Sequence, residues 1–158
     1  MTRMAALNIA ASMQPVHCDP AIMSNWKEVL GDERAETGFP WHKFREAGVR
    51  MILGTDAPTA PHDSLENLLI ALTAKSALDP KLEAYQPERV FTPGDALLAY
   101  SVAGAETSWP DQPVGIVAGA PASFTVFDTN LLKANESEIR SARVIRTVIN
   151  GEEHFSAK

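Results

Sequence analysis

Residues 49–58, Val-Arg-Met-Ile-Leu-Gly-Thr-Asp-Ala-Pro, form the stretch that decides the fold. Its apolar start predicts a short strand, Val49–Leu53, buried on both faces. Gly54 ends the run, and Pro58 restricts the backbone of the residue before it. Asp56 therefore follows the carboxyl end of a buried strand, where α/β sheets and barrels carry their chemistry. A carboxylate there could bind a metal, act as a general base or cap a helix, and the residues leave these roles open.

A second buried strand is predicted over Leu7–Met13, a run of small and apolar residues that Gln14 and Pro15 close. Asp19 and Pro20 then have the character of an N-cap and a first helical residue. The helix that they begin is expected to end at Gly31 and to bury one face, made of Ile22, Trp26, Val29 and Leu30.

The strand at residues 49–53 is also followed by a helix. Asp63 and Glu66 have the spacing of a capping box, and the helix that they open carries its leucines at helical spacing, at positions 65, 68, 69 and 72. Two strands each followed by helix make two βα units, which require a parallel sheet covered by helices.

The remaining segments are assigned by their caps and turn residues. Residues 32–37 are polar and predict a turn, Pro40 begins a short helix that Gly48 ends, and residues 79–89 predict a surface segment. Thr92 and Pro93 begin a helix that is expected to run to about Gly104.

The last third of the chain has a different character. Residues 109–121 hold three prolines and two glycines and predict turns. Residues 122–127 and 144–149 predict strands, and Asn150-Gly151 is a strong hairpin signal that leads into residues 152–155. A small antiparallel element is therefore expected after the βα units.

Composition excludes several classes of protein. With 158 residues, 45% of them hydrophobic, and 22% charged, the chain has the make-up of a globular protein with one core. Its net charge of −6 and lack of a basic run argue against nucleic-acid binding. Cys18 is its single cysteine, so no internal disulfide can form. No apolar run is long enough for a membrane span and the start lacks a signal-peptide core, which predicts a cytoplasmic protein without a membrane partner.

Several of these stretches together resemble the amidohydrolase superfamily, and within it the branch of N-substituted formamide deformylase-like enzymes. The resemblance lies in residues 7–17 (LNIAASMQPVH), residues 54–58 (GTDAP), Phe91-Thr92-Pro93 with Ala96-Leu97 and Ala105, and residues 115–128 (GIVAGAPASFTVFD). It extends over nearly the whole chain. The Gln-Pro and Gly-Thr-Asp-Ala-Pro stretches are specific when taken together.

The resemblance implies an α/β fold: the last two βα units of a (β/α)8 barrel at residues 1–108, and the C-terminal strands of a composite β-sandwich at residues 109–158. It implies hydrolysis of non-peptide carbon–nitrogen bonds, such as amides or N-substituted formamides, by metal-activated water. Asp56 matches the aspartate that ends the eighth barrel strand in the family, a catalytic residue that binds metal and accepts a proton from the attacking water. A divalent metal, zinc by expectation, would belong to the complete enzyme.

The chain departs from the family where the other metal ligands should be. The His-x-His pair of the first barrel strand is absent, and the ligands of the middle strands would lie upstream of this sequence. We therefore expect the isolated chain to bind no metal and to be inactive. The alternative is a non-catalytic remnant or interaction module of the same fold. Expected partners are a small amide-type substrate and either the missing N-terminal part or a second copy of the chain.

Other polar residues are weaker candidates for functional residues. Gln14 and His17 follow the first strand and could contact substrate, although Gln14 could equally satisfy the chain before Pro15, and a loop histidine bonded to backbone is a common alternative. Cys18 is interpreted as an inert small residue. His42, His62 and His154 are predicted to lie on the surface, and the four histidines have no metal-ligand spacing.

Overall fold

The computed structural model describes all of residues 1–158, and its first sheet is a parallel pair. Strand β1 (Ala11–Met13) lies beside strand β2 (Met51–Leu53), with Ala11 opposite Met51 and Met13 opposite Leu53. Both strands are followed by helical segments. The prediction of two successive βα units with parallel strands is therefore confirmed. Neither strand has a second neighbour, so the sheet has two open edges.

Both strands are shorter than the sequence predicts. The first residues of the chain form helix α1 (Thr2–Ala6), and Leu7 and Ile9 are 64% and 46% exposed, so the prediction of a buried strand over Leu7–Met13 is wrong before Ala11. Val49 is buried as expected but precedes β2, because Gly48 turns the chain with φ +70° immediately before it. The parallel ladder begins where the Ala11 N–H donates to the Arg50 carbonyl, at 2.8 Å.

The segment after β1 is more helical than expected. Short 3-10 helices at Pro15–Cys18 and Pro20–Ile22 lead into α2 (Met23–Leu30) and α3 (Asp32–Glu36). The prediction of a turn at residues 32–37 is wrong, because acidic residues in the first turn suit a helix N-terminus. The predicted buried face of α2 is also wrong: Val29 is 81% exposed and only Met23 of this helix is buried.

Helix α4 (Trp41–Glu46) begins after Pro40, as predicted, and packs its aromatic side against the core. The Trp41 ring lies 6.0 Å from the Phe39 ring and 5.8 Å from the Phe91 ring, centroid to centroid. Such offset and edge contacts are favourable for aromatic pairs. His42 is only partly on the surface, since its Nδ1 is buried without a hydrogen-bond partner, which corrects the prediction of a surface histidine.

Helix α5 (Ser64–Thr73) is the central helix of the molecule. Asp63 caps it by accepting a hydrogen bond from the Leu65 N–H at 2.8 Å, while Glu66 does not complete the predicted capping box. Leu68 and Leu69 are buried, as their helical spacing predicted. Asn67 is also buried in the middle of this apolar face.

The chain then returns through a 3-10 turn at Pro87–Arg89 to two helices instead of the single one expected. Helix α6 (Pro93–Tyr100), capped by Thr92, is followed by α7 (Val102–Ser108). The break lies at Ser101, whose φ and ψ are −123° and −83° and whose hydroxyl donates to the Leu97 carbonyl at 2.6 Å. Serine bonding to the preceding turn competes with the helical ladder, which explains the break.

The C-terminal part is an antiparallel sheet, as predicted. Strands β3 (Phe124–Phe127), β4 (Val144–Ile149) and β5 (Glu152–Ser156) lie in sequence order. Asn150 and Gly151 both have positive φ, which the two-residue hairpin turn requires. Helix α8 (Glu136–Ser141), with a capping box between Asn135 and Glu138, was not predicted.

One core joins these elements. It contains buried side chains from the loop after β1, from α2, β2, α4, α5 and α6, from the residues before α6, and from the segments around α8: Cys18, Met23, Trp41, Leu53, Leu68, Ile70, Ala71, Phe91, Ala96, Ala99, Leu131 and Ala142. Leu131 and Ala142 come from the last third of the chain, so the core extends across residue 108. None of the helices has the length and apolar character that crossing a membrane requires.

Candidate functional site

The two βα loops meet because β1 and β2 are parallel. Met13 and Leu53 lie opposite each other at the carboxyl ends of the strands, so the segments that follow them start side by side. His17 Nε2 lies 3.2 Å from Asp56 Oδ2. The two side chains are 37% and 41% exposed, so this imidazole–carboxylate pair faces solvent at the end of the sheet where α/β proteins bind ligands.

Asp56 has an unusual backbone conformation. Its φ is +65°, in the left-handed region that aspartate tolerates better than most residues. The conformation is held by the Ala60 N–H, which donates to the Asp56 carbonyl at 3.1 Å. The side chain accepts no hydrogen bond from a helix N-terminus, and the cap of α5 is Asp63. The carboxylate thus contacts His17 and takes no part in capping α5.

The loop that carries His17 is anchored on both sides of the residue. The Val16 N–H donates to Asn67 Oδ1 at 2.8 Å, and Trp26 Nε1 donates to the His17 carbonyl at 3.1 Å. Cys18 is buried, and this burial raises the pKa of its thiol to about 12. A thiol of that kind is a poor nucleophile, in accord with its interpretation as an inert residue.

Gln14 lies at the same end of β1 but outside the pair. It is half-buried, and its Nε2 approaches Ser12 Oγ at 3.5 Å, the limit of a hydrogen bond. It precedes the 3-10 helix at Pro15–Cys18 without capping it. Its contribution to substrate binding stays a prediction.

The other histidines lie apart from this site. His62 and His154 are exposed, as predicted, and His42 lies on α4. No three histidine, cysteine, aspartate or glutamate side chains come together as a set that could hold a metal ion. The site within this chain therefore consists of two potential donors, His17 and Asp56.

Asn67 is the residue that sequence reasoning missed. It is 1% exposed and occupies a helix face that is otherwise lined by leucine and isoleucine. A polar residue on the buried face of a predicted helix is a signal, because buried amides need hydrogen-bond partners. No local pattern indicates that its partner is the loop carrying His17.

The largest clefts of the molecule lie elsewhere. One of about 720 Å³ separates α5, α6 and α7 from the antiparallel sheet, and its lining includes Leu68, Tyr100 and Phe124. None of Gln14, His17 and Asp56 lines it. Cleft size alone therefore points away from these three residues, and they are candidates because they follow the carboxyl ends of the two parallel strands.

Comparisons with known proteins identify relatives of the chain. The chain is 26% identical over 151 residues to YtcJ of Bacillus subtilis (strain 168), whose name describes it as an amidohydrolase. It is 28% identical over 139 residues to the N-substituted formamide deformylase of Arthrobacter pascens. These alignments cover 95% and 84% of this chain but 28% and 25% of the relatives, so the chain spans about a quarter of their length.

A crystal structure of an amidohydrolase shares the fold, with a TM-score of 0.57 at 18% sequence identity. The match covers 99% of this chain and 37% of that protein. The model of the amidohydrolase family matches residues 1–155, almost the whole sequence. The chain therefore belongs to the amidohydrolase family.

Proposed function

We propose that this chain is the C-terminal part of a metal-dependent hydrolase of non-peptide carbon–nitrogen bonds, with amides or N-substituted formamides as substrates. The observation that carries the proposal is the His17–Asp56 pair at the carboxyl ends of two parallel strands. The deformylase relative supports the substrate class, since its name states that it acts on N-substituted formamides. In this proposal residues 1–108 supply the last two βα units of a (β/α)8 barrel, and residues 109–158 supply strands of a β-sandwich.

Asp56 is the catalytic residue of the proposal. One of its oxygens, Oδ2, contacts His17 Nε2, and no hydrogen bond within the chain engages Oδ1. Oδ1 is therefore the atom available to accept a proton from an attacking water. His17 and Gln14, at the end of the neighbouring strand, are placed to contact the substrate.

The residues present do not make a complete metal centre. A zinc site uses roughly three or four protein ligands, whereas His17 and Asp56 are two potential donors and no third lies beside them. When bound in the complete enzyme, a divalent metal would act as a Lewis acid and lower the pKa of a coordinated water to about 7. Asp56 would contribute one carboxylate ligand, and the others would have to come from outside this chain.

The partner of this chain is, in the same proposal, the remaining barrel. The chain spans about a quarter of the curated relatives, and β1 and β2 each have one neighbour in a sheet that barrel closure would extend on both sides. A separate N-terminal chain or a second copy could supply that extension.

The experiment uses the complete enzyme, with Asp56→Asn as the test variant. The amide keeps the shape of the side chain but loses the charge and the basic oxygen. General-base catalysis is worth about 10²–10⁴-fold, so turnover of an N-substituted formamide should fall at least that far. The melting temperature should change little, because the side chain is 41% exposed and makes no helix cap.

Asp63→Asn is the matched control, since it makes the same chemical change at an exposed aspartate of the following helix. Asparagine is as good a cap as aspartate, so both turnover and melting temperature should stay near those of the parent. Near-normal turnover of Asp56→Asn would remove the centre of the proposal.

A further inference from the structure

His17, whose side chain contacts Asp56, lies in a short helix that has no side-chain cap at its N-terminus. The 3-10 helix Pro15–Cys18 has no side-chain cap, because Gln14 at its N-cap position makes no such hydrogen bond. The first N–H groups of a helix have no partner within the helix and need one elsewhere. The Val16 N–H is one of these groups, and it lies directly before His17.

The missing cap is supplied from a distant element. Asn67 Oδ1, on α5, accepts from the Val16 N–H at 2.8 Å across 51 residues of sequence. Asn67 is 1% exposed, so its amide is held by the surrounding core and has no freedom to follow a moving loop. A hydrogen bond made to such a fixed, buried acceptor determines where the loop, and therefore His17, is placed.

The other side-chain hydrogen bonds of the loop do not replace this bond. Trp26 Nε1 donates to the His17 carbonyl, but the Trp26 side chain is 40% exposed. Asp19 fixes the far end of the loop by accepting from the Ala21 and Ala77 N–H groups. Among the side-chain hydrogen bonds of this loop, only the one to Asn67 ties the backbone directly before His17 to a buried residue.

We propose that Asn67 is a positioning residue that, through its hydrogen bond to the Val16 N–H, holds the His17 imidazole against the Asp56 carboxylate. The inference deepens the proposed function, because it concerns the same pair of side chains. Asn67 does not touch the pair itself and acts only through the backbone of the β1 loop.

The test measures the reaction of each histidine with diethyl pyrocarbonate in the 158-residue chain, by peptide mass spectrometry. The reagent acylates accessible imidazole nitrogens, and the carboxylate of Asp56 covers Nε2 of His17. Asp56→Asn should therefore raise the rate at His17 by up to about fivefold, the ratio expected for an exposed ion pair. The exposed His62 and His154 serve as internal references whose rates should stay unchanged.

Asn67→Leu has about the same size but offers no acceptor. It should raise the His17 rate by the same factor, and adding Asp56→Asn to it should change nothing further, because the pair is already separated. Asn67→Asp keeps an acceptor oxygen and should restore the rate of the parent. A structural role alone would not make the effect of Asp56→Asn depend on the residue at position 67.

Near-ultraviolet circular dichroism reports whether a variant has lost its fold, since Trp41 is buried against Phe91. If Asn67→Leu changes this spectrum, Asn67→Ala takes its place with the same expectations. The proposal is overturned if Asp56→Asn alters the His17 rate equally with and without Asn67, or does not alter it in the parent. An enzyme that needs Asp56 but ignores Asn67 would keep the proposed function and lose this inference.

Discussion

The carboxylate of Asp19 is fully buried and receives the backbone N–H of Ala77, 58 residues later, at a distance of 2.8 Å from Oδ2. Its other oxygen, Oδ1, receives the Ala21 N–H at the same distance. One side chain thus caps the 3-10 helix after the β1 loop and ties that loop to the segment that follows α5. The sequence predicted the cap but not the second bond.

Asp19→Asn should destabilise the chain. Asparagine has one acceptor oxygen, so its NH₂ group would face either the Ala21 or the Ala77 N–H, and a buried donor would lose its partner. An unsatisfied buried donor costs about 1–3 kcal/mol of unfolding free energy. Denaturant titration of parent and variant, at equal protein concentration, measures this difference.

Asp63→Asn is the control variant: it makes the same substitution at a cap in which only one carboxylate oxygen accepts a hydrogen bond. Asp63 is exposed and accepts only from the Leu65 N–H, so asparagine can replace it. Its unfolding free energy should match that of the parent within a few tenths of a kcal/mol. Equal losses for both variants would show that the second bond of Asp19 contributes nothing.

The open edges of the parallel sheet lead to a prediction about association. Strands β1 and β2 each have one neighbour, and an unpaired edge can bind another strand. We expect the isolated chain to self-associate or to require a partner. Ser12→Lys, at an exposed position of β1, should reduce the average mass in sedimentation velocity, because an edge lysine disfavours strand addition.

Ser108→Lys adds the same charge at an exposed position at the end of α7, outside the strands, and its average mass should equal that of the parent. A parent chain that sediments as a monomer and melts in one cooperative transition would contradict the prediction.

The sequence predicted best those features that depend on neighbouring residues. The caps at Asp19, Asp63 and Thr92 and the Asn150-Gly151 hairpin are each defined by side chains within a few positions of the backbone groups they satisfy. The parallel direction of β1 and β2 followed from the helical segments between them.

Features set by distant contacts were predicted poorly. Leu7 and Ile9 carry the apolar signal of a strand, but β2 starts only after the turn at Gly48 and offers them no ladder. The buried face assigned to α2 failed for a similar reason: an amphipathic pattern shows which residues could be buried, not which neighbour would cover them.

The candidate site was also only partly predicted, because it too depends on contacts between distant residues. The end of β2 identified Asp56, and the end of β1 identified Gln14 and His17, but the sequence did not predict that His17 would contact Asp56 while Gln14 would not. That outcome involves the left-handed backbone of Asp56 and, in our proposal, the hydrogen bond that Asn67 accepts from the Val16 N–H, and no local pattern encodes either of them.

The ionisation of Glu136 makes the stability of the chain depend on pH in the acid range. Hydrogen bonds from Lys75 at 2.6 Å and from Arg140 at 3.0 Å lower the pKa of its carboxyl below the ordinary value of 4.5. The folded state therefore binds the proton less readily than the unfolded state, and the carboxylate stabilises the fold above the unfolded pKa. This contribution is lost as the pH falls through the lowered folded pKa.

Glu136→Gln should consequently unfold more easily than the parent at neutral pH, and the two stabilities should converge in acid, below the folded pKa. Glu83→Gln, at an exposed carboxylate outside any ion pair, should follow the parent at every pH. Thermal melting across the acid range measures all three proteins. If the difference in stability between Glu136→Gln and the parent persisted unchanged into acid, it would have to come from packing rather than from charge.

The last prediction concerns the purified 158-residue chain, which we expect to hydrolyse no amide, N-substituted formamide or N-acyl substrate above background, with or without added zinc. The reason is the number of donors: His17 and Asp56 lie together, no third histidine, cysteine or acidic side chain joins them, and a catalytic zinc needs roughly three protein ligands. Asp56→Asn should therefore leave the background rate of the isolated chain unchanged, although the same substitution should greatly lower turnover of the complete enzyme. Metal-dependent turnover by the isolated chain that disappears on chelation, and that Asp56→Asn abolishes, would show that the chain assembles a working centre, for example across two copies, and would contradict the ligand argument.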